Sequence, residues 1–125
     1  MPIVDVELVC SSEAEFRASS AQAVANAVGE VLSCEPGRVW VRLWHLDSQC
    51  YAENEVTLSA VELPVFVTVL HAKLPVGQAL STEAALLTRA VAAAVGRSPE
   101  RVHVQYAPAG AGRQAFGGVL VKAGT

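Results

Sequence analysis

Apolar and polar positions alternate strictly along several short stretches of the chain, and longer stretches between them repeat at helical spacing. Ile3 to Cys10 (IVDVELVC) is rich in β-branched residues and alternates apolar with polar, which predicts a strand. Ser11, Ser12 and Glu15 supply an N-cap and a capping-box partner for a helix. That helix is predicted to run to about Leu32, with Phe16, Ala23, Ala27 and Val31 on its buried stripe. Pro36-Gly37 ends it, and RVWVRLWHL, Arg38 to Leu46, follows as a second strand. Asp47 to Ala60 is a polar stretch expected to turn back on itself.

The order then recurs. Leu63 to His71 (LPVFVTVLH) reads as a strand, and Ser81, Thr82 and Glu83 open a helix carrying Ala85 to Val95. Gly96 ends that helix, Ser98-Pro99 leads into a strand from Arg101 to Tyr106, and a glycine-rich tail closes with a short strand at Val119 to Val121. Arg38-Val39 matches Arg101-Val102 at the offset that separates Pro36 from Pro99, and Pro2 matches Pro64 at nearly the same offset. The chain therefore reads as a single domain, 1–125, of two pseudo-repeats, about 1–60 and 61–125. The expected fold class is α+β. Each strand-helix-strand unit has parallel strands through a right-handed crossover, and the two units form a four-stranded sheet with two helices on one face.

The strands also predict what covers the other face. Val39, Val41 and Leu43 share one side of the second strand, and Trp40, Arg42 and Trp44 share the opposite one. Val102, Val104 and Tyr106 likewise oppose Arg101, His103 and Gln105. The apolar sides suit helix packing. The mixed sides carry two tryptophans, which are costly to leave in water, so this face is expected to meet another subunit, the alternative being an open amphipathic face.

Composition narrows the classes. The chain is 52% hydrophobic and 17% charged, an apolar balance that fits a large core or a surface hidden in an oligomer. A net charge of −3 without a Lys/Arg stripe gives no basis for nucleic-acid binding. No apolar run reaches the length of a membrane span, and no basic region or cleavage site marks a signal peptide, so a cytoplasmic location is expected. Cys10, Cys34 and Cys50 are odd in number and lack C-x-x-C spacing, and they read as reduced thiols. His45, His71 and His103 lack metal-ligand spacing, and no cofactor or metal is expected.

Met1-Pro2 followed directly by a strand in a doubled β-α-β chain resembles the tautomerase superfamily, which includes 4-oxalocrotonate tautomerase, macrophage migration inhibitory factor and cis-3-chloroacrylic acid dehalogenase. The segment SPERVHVQYAPAGAGRQAFGG, Ser98 to Gly118, is similar to the last strand and tail of the migration-factor and dehalogenase branches. The resemblance implies a homotrimer of fused units, with sites at subunit borders around a free proline amine. It also implies keto-enol chemistry on 2-oxo acids, or hydration, dehalogenation or decarboxylation of related small acids.

Carried over residue by residue, the resemblance makes Pro2 the catalytic base and acid once Met1 is removed. With Met1 retained, its nitrogen is an amide and cannot act; Pro64 is always an amide. A secondary amine in apolar surroundings loses its charged form more readily, and the neutral amine takes a proton from the carbon beside a carbonyl. The family's arginine ten residues after the proline is replaced by Ser12 and Leu74, and the second-strand arginine of the short members by Trp40 and His103. Lys73 lies where the dehalogenase and decarboxylase branches carry arginines, and is the candidate carboxylate clamp. His103 and Gln105 match a substrate-contacting tyrosine and asparagine, and Phe116, with Tyr51 as its first-half counterpart, matches an aromatic wall beside the proline. Arg42 is a cation on the equivalent first-half face, which either binds substrate or pairs with Asp5 or Glu7. Ala115 stands where the dehalogenase branch has a water-activating glutamate, which argues against that route. Two rival functions stay open, a non-catalytic trimeric scaffold or binding protein and a decarboxylase or other lyase using the same amine.

Overall fold

The computed structural model describes residues 1–123. Strand β1 (Ile3–Cys10) is followed by helices α1 (Glu13–Arg17) and α2 (Ala21–Val31), then β2 (Trp40–Asp47). The second half comprises β3 (Val65–Leu70), α3 (Gln78–Val95) and β4 (Val102–Tyr106), and the tail forms a hairpin of β5 (Ala115–Phe116) and β6 (Val119–Leu120). The main sheet has the order β2-β1-β3-β4. β1 and β2 are parallel, β3 and β4 are parallel, and β1 runs antiparallel to β3 at the centre. Ile3 lies opposite Trp40 and Val65 opposite Val102, a displacement of thirty-seven positions in both halves.

Alternation explains the layering. Val4, Val6 and Leu8 of β1 and Val65, Val67 and Val69 of β3 point to one side and are almost wholly buried. They meet Val24 and Val28 of α2 and Leu87, Val91 and Ala92 of α3 in one core. Burying each of these valines and leucines favours folding by roughly 1.5–3 kcal/mol before entropy is charged against it. Both long helices therefore cover the same face, as the sequence implied.

The first helix departs from expectation. Ser12 accepts from the Glu15 amide at 3.1 Å, and Glu15 accepts from the Ser11 amide and hydroxyl at 3.0 and 2.8 Å. Only five helical residues follow before the helix ends at Ala18, and Ser20 caps a fresh start by accepting from Ala23 N at 3.1 Å. The interruption rotates the helix, so Val24 and Val28 face the core in place of the predicted Ala23 and Ala27. Ala23 is exposed, while Phe16 and Val31 pack at the core margin. Three α-helices thus replace the two expected.

The second-half helix begins at Gln78, earlier than the predicted Ser81, directly after Gly77 at φ +58°. Ser81, Thr82 and Glu83 resemble a cap in sequence but lie inside the first turns, and the Ser81 amide bonds to Gly77 O at 3.2 Å. Gly96 ends the helix at φ +70°, a left-handed conformation that side chains with a Cβ resist. The connection from Asp47 to Glu62 is short-range structure: two 3-10 turns and a Glu53–Val56 bridge.

Arg97 fastens the two halves together. It donates to Leu63 O and Val9 O at 2.9 Å each and pairs with Glu15 at 3.2 Å.

Candidate functional site

The sheet face away from the helices is built in three rows set by the strand register. Ile3 lies between Trp40 and Leu70, and Asp5 lies in line with Arg42, Thr68 and Gln105. Glu7 lies in line with Trp44, Phe66 and His103. Trp40 and Trp44 on this face are 43% and 51% exposed.

The middle row is closed by charge. Arg42 grips Asp5 with two hydrogen bonds, Nε to Oδ1 at 2.6 Å and Nη2 to Oδ2 at 2.8 Å. The Trp44 indole donates to the same carboxylate at 3.3 Å, and the Arg42 guanidinium lies 5.8 Å from the Trp44 ring centroid. The hydrogen bonds from Arg42 hold the Asp5 carboxyl below its ordinary range. Gln105 donates to the Thr68 hydroxyl at 3.0 Å. A cavity of about 600 Å³ on this face is lined by Asp5, Glu7, Trp44, Phe66, Thr68 and Gln105.

Pro2 lies at the end of β1 beyond the Ile3 row. It is buried, and its carbonyl accepts from the Trp40 amide at 3.1 Å. Met1 is half-buried in front of it, with the Arg38 guanidinium 3.7 Å from its sulfur. The β5–β6 hairpin reaches the same end, turned by Gly117 and Gly118 at φ +56° and +87°. Its Phe116 ring packs edge-on against Trp40 at 5.0 Å between centroids. The aromatic residue and the proline therefore share one end of the sheet. Pro2 itself lines none of the four surface cavities described.

The other candidates are dispersed. His103 sits in the far row, its ring 5.8 Å from Phe66, five residues along β1 from Pro2. At ~3.3 Å per residue that separation is roughly 17 Å, too far for one small acid to touch both. Lys73 lies in the turn after β3, lining a separate cavity of about 490 Å³ beside the tail. One chain thus places Phe116 at the end where Pro2 lies, holds Arg42 on Asp5, and sets His103 and Gln105 in other rows.

Three features escaped the sequence. Lys122, in the tail, lines the cavity that holds Lys73. The signal was available in composition, since the chain has two lysines, but nothing in the local pattern brings them together. Gln114 is 8% exposed, and neither atom of its amide has a partner among the described residues. Glu83 on α3 contacts His71 Nε2 at 2.9 Å and accepts from the Tyr106 hydroxyl at 2.8 Å. Burial and the Glu83 carboxylate push the Tyr106 phenol well above its ordinary range. Among the described residues no three His, Cys, Asp or Glu side chains gather as a metal site, and no helix is long and apolar enough to cross a membrane.

A four-stranded mixed sheet of two β-α-β halves with helices on one face is the fold shared with solved structures of macrophage migration inhibitory factor, fused 4-OT and malonate semialdehyde decarboxylase. Solved structures with this fold include the macrophage migration inhibitory factor of Trichinella spiralis, 14% identical over 94% of this chain and 98% of that one at a TM-score of 0.71. A fused 4-OT forming a symmetric trimer is 15% identical over 95% and 94% at 0.68. FG41 malonate semialdehyde decarboxylase, inhibited by 3-bromopropiolate, is 18% identical over 84% and 81% at 0.62. No family model matches the sequence, and no curated protein matches it significantly.

Proposed function

We propose that this protein is a cofactor-independent tautomerase acting on a small 2-oxo acid or enol, with Pro2 as general base and acid after removal of Met1. The observation that carries this reading is the burial of Pro2 at the head of a central strand, at the sheet end where Phe116 packs on Trp40. A freed amine there loses hydration, which disfavours its charged form and leaves it able to accept a proton at neutral pH. Lys73 is the proposed carboxylate partner and Phe116 the apolar wall. Gln105 and His103 are the proposed hydrogen-bond donors.

The spacing of the rows bears on assembly. Pro2 and His103 of one chain are too far apart for one substrate, so a site using both needs His103 from a second copy. The exposed tryptophan face supplies a surface for that copy, and the symmetric trimer of the fused 4-OT supports the same arrangement. The proposed state is a cytoplasmic homotrimer of two-repeat chains, with a small-molecule substrate and no nucleic-acid or membrane partner.

Two readings compete. A scaffold without catalysis is favoured by the engagement of Arg42 with Asp5, which leaves that cation committed. A lyase using the same amine is favoured by the shared fold with a malonate semialdehyde decarboxylase.

Mass spectrometry of the amino terminus, then ketonisation of phenylpyruvate and 2-hydroxymuconate by wild type and Pro2→Ala, tests the main reading. The expected result is a processed terminus and a rate lost in the variant. Equal rates in the two proteins would remove Pro2 from the mechanism, and carbon dioxide release from an oxo acid would move the assignment to the lyase. Sedimentation of wild type and Trp44→Glu tests the assembly: a trimer is expected for the first and smaller species for the second.

A further inference from the structure

Glu83 joins three elements through one oxygen. Its Oε2 lies 2.9 Å from His71 Nε2 and accepts the Tyr106 hydroxyl at 2.8 Å. His71 is the first residue beyond β3, Tyr106 is the last of β4, and Glu83 lies in the second turn of α3. The His71 and Tyr106 rings are nearly parallel, with centroids 6.1 Å apart. The His71 and Glu83 side chains are each only 13% exposed. An ionised carboxylate only accepts, so both neighbours donate to it, and such bonds are stronger than those between neutral groups. The proposed proline chemistry makes no use of this cluster.

The tail beyond Tyr106 is tied to the strand ends that this carboxylate joins. Ala107 N donates to Val69 O at 2.9 Å, Gly110 N to His71 O at 2.8 Å and Ala111 N to Ala72 O at 3.0 Å. From there Gly112 N donates to Val121 O and Val121 N to Gln114 O, both at 2.7 Å, which closes the stem of the β5–β6 hairpin. The side chains of β6 add little hold, since Val119 and Leu120 are 72% and 56% exposed. The hairpin lays Phe116 on Trp40 with centroids 5.0 Å apart. Aromatic pairs of this kind persist only to about 7 Å, so a displacement of roughly 2 Å at the hairpin takes Phe116 off its partner.

We infer that Glu83 is a positioning residue: by holding His71 and Tyr106 to α3 through one oxygen, it fixes the stem of the tail and so sets Phe116 on Trp40. That placement is a property of the fold. Its consequence for catalysis rests on the proposed function, in which Phe116 is the apolar wall of the Pro2 amine. A loosened Phe116 lets that amine hydrate and favours its charged form.

Amide hydrogen exchange and aromatic NMR on the full-length protein test the placement without turnover. Glu83→Ala removes the shared acceptor, and Tyr106→Phe removes one hydroxyl with little change of shape. In both variants the Gly110 and Ala111 amides are expected to exchange roughly tenfold faster while the β1 amides keep their wild-type rates. The ring-current shift between Phe116 and Trp40 is expected to shrink. Glu83→Gln keeps a carbonyl acceptor in place and should restore most of the protection.

In the ketonisation assay, the rising limb of the kcat/KM–pH profile should move up by about one unit in Glu83→Ala and in Phe116→Ala, and stay near wild type in Glu83→Gln. Wild-type exchange at Gly110 and Ala111 in Glu83→Ala, acceleration that includes β1 equally, or an unchanged Phe116 ring shift would each overturn the inference. A profile shared by wild type and an active Glu83→Ala would overturn it for catalysis. Faster tail exchange and a lost ring shift in a protein that catalyses no ketonisation would instead remove the proline chemistry and leave the positioning role standing.

Discussion

Replacing Arg97 with alanine is expected to be among the most damaging single changes in the chain. The guanidinium is 10% exposed and reaches from the residue after Gly96 across to both halves. Its two 2.9 Å bonds end on the carbonyls of Leu63 and Val9, residues that are 5% and 0% exposed. Truncation removes two charge-assisted bonds and leaves those oxygens without donors, at about 1.5–3 kcal/mol each. The contact with Glu15 adds little, because that carboxylate is 38% exposed and screened by water. The expected loss is therefore about 3–5 kcal/mol. With an unfolding entropy near 2.1 cal/mol/K per residue, each kcal/mol lowers the midpoint of a chain this long by roughly 4 °C, so a fall of about 12–20 °C follows.

Thermal and urea unfolding at one fixed protein concentration measure this directly. Arg97→Lys keeps the charge but not the fork that spans two acceptors, and an intermediate loss of about 2 kcal/mol is expected. Arg89→Ala, exposed on α3, serves as the control and should stay within about 0.5 kcal/mol of wild type. A loss below about 1 kcal/mol for Arg97→Ala would refute the reasoning, since it would mean that the two carbonyls find water or other donors.

Three further outcomes are expected. The free thiols should alkylate in the order Cys50, Cys34, Cys10, following exposure, and burial raises the Cys10 thiol as well; mass-resolved iodoacetamide labelling that marks Cys10 in the native protein would contradict the structure. Asp5 and Glu15 are held below their ordinary values of 3.8 and 4.5, chiefly by hydrogen bonds from Arg42 and from Ser11. Their contribution to stability is present above those values and is lost as pH falls through the lower folded ones, so Asp5→Asn and Glu15→Gln should each flatten the acid limb of a stability–pH curve. Gln114→Met removes two buried polar atoms without partners and should raise the stability of the ligand-free protein by about 1 kcal/mol; a fall in the midpoint would show that the amide is satisfied in solution.

The strands were legible because each has one buried and one unburied side, which alternation reports directly. Ile3–Cys10 agrees in both bounds, and Val39, Val41 and Leu43 face the core as read. The helix at Glu13–Val31 was not legible in detail because alanine gives almost no contrast around a helix. Ala23 and Ala27 fitted the predicted stripe as well as Val24 and Val28 fitted the real one, and Ser20 was hidden among other serines. The Gln78 start was missed because Gly77 begins the helix through its backbone conformation, leaving no capping side chain to read. The tail carries no periodicity at all, so no local pattern brings Lys122 to Lys73 or buries Gln114.

The two halves share one strand register but have diverged at their ends. At the head of β3, where Pro64 is an internal amide, Glu53 accepts from Tyr51 and from Arg101 at 2.7 and 2.8 Å, and Arg97 is occupied by two carbonyls. Cations there are neutralised, and Glu53 is held below its ordinary range by these donors. At the head of β1, Arg38 forms no salt bridge among the described residues, nor do Lys73 and Lys122 beyond the end of the adjoining β3. On the proposed reading the chemistry belongs at the Pro2 end, because Pro64 is an internal amide and Pro2 is the imino acid that processing of Met1 would expose.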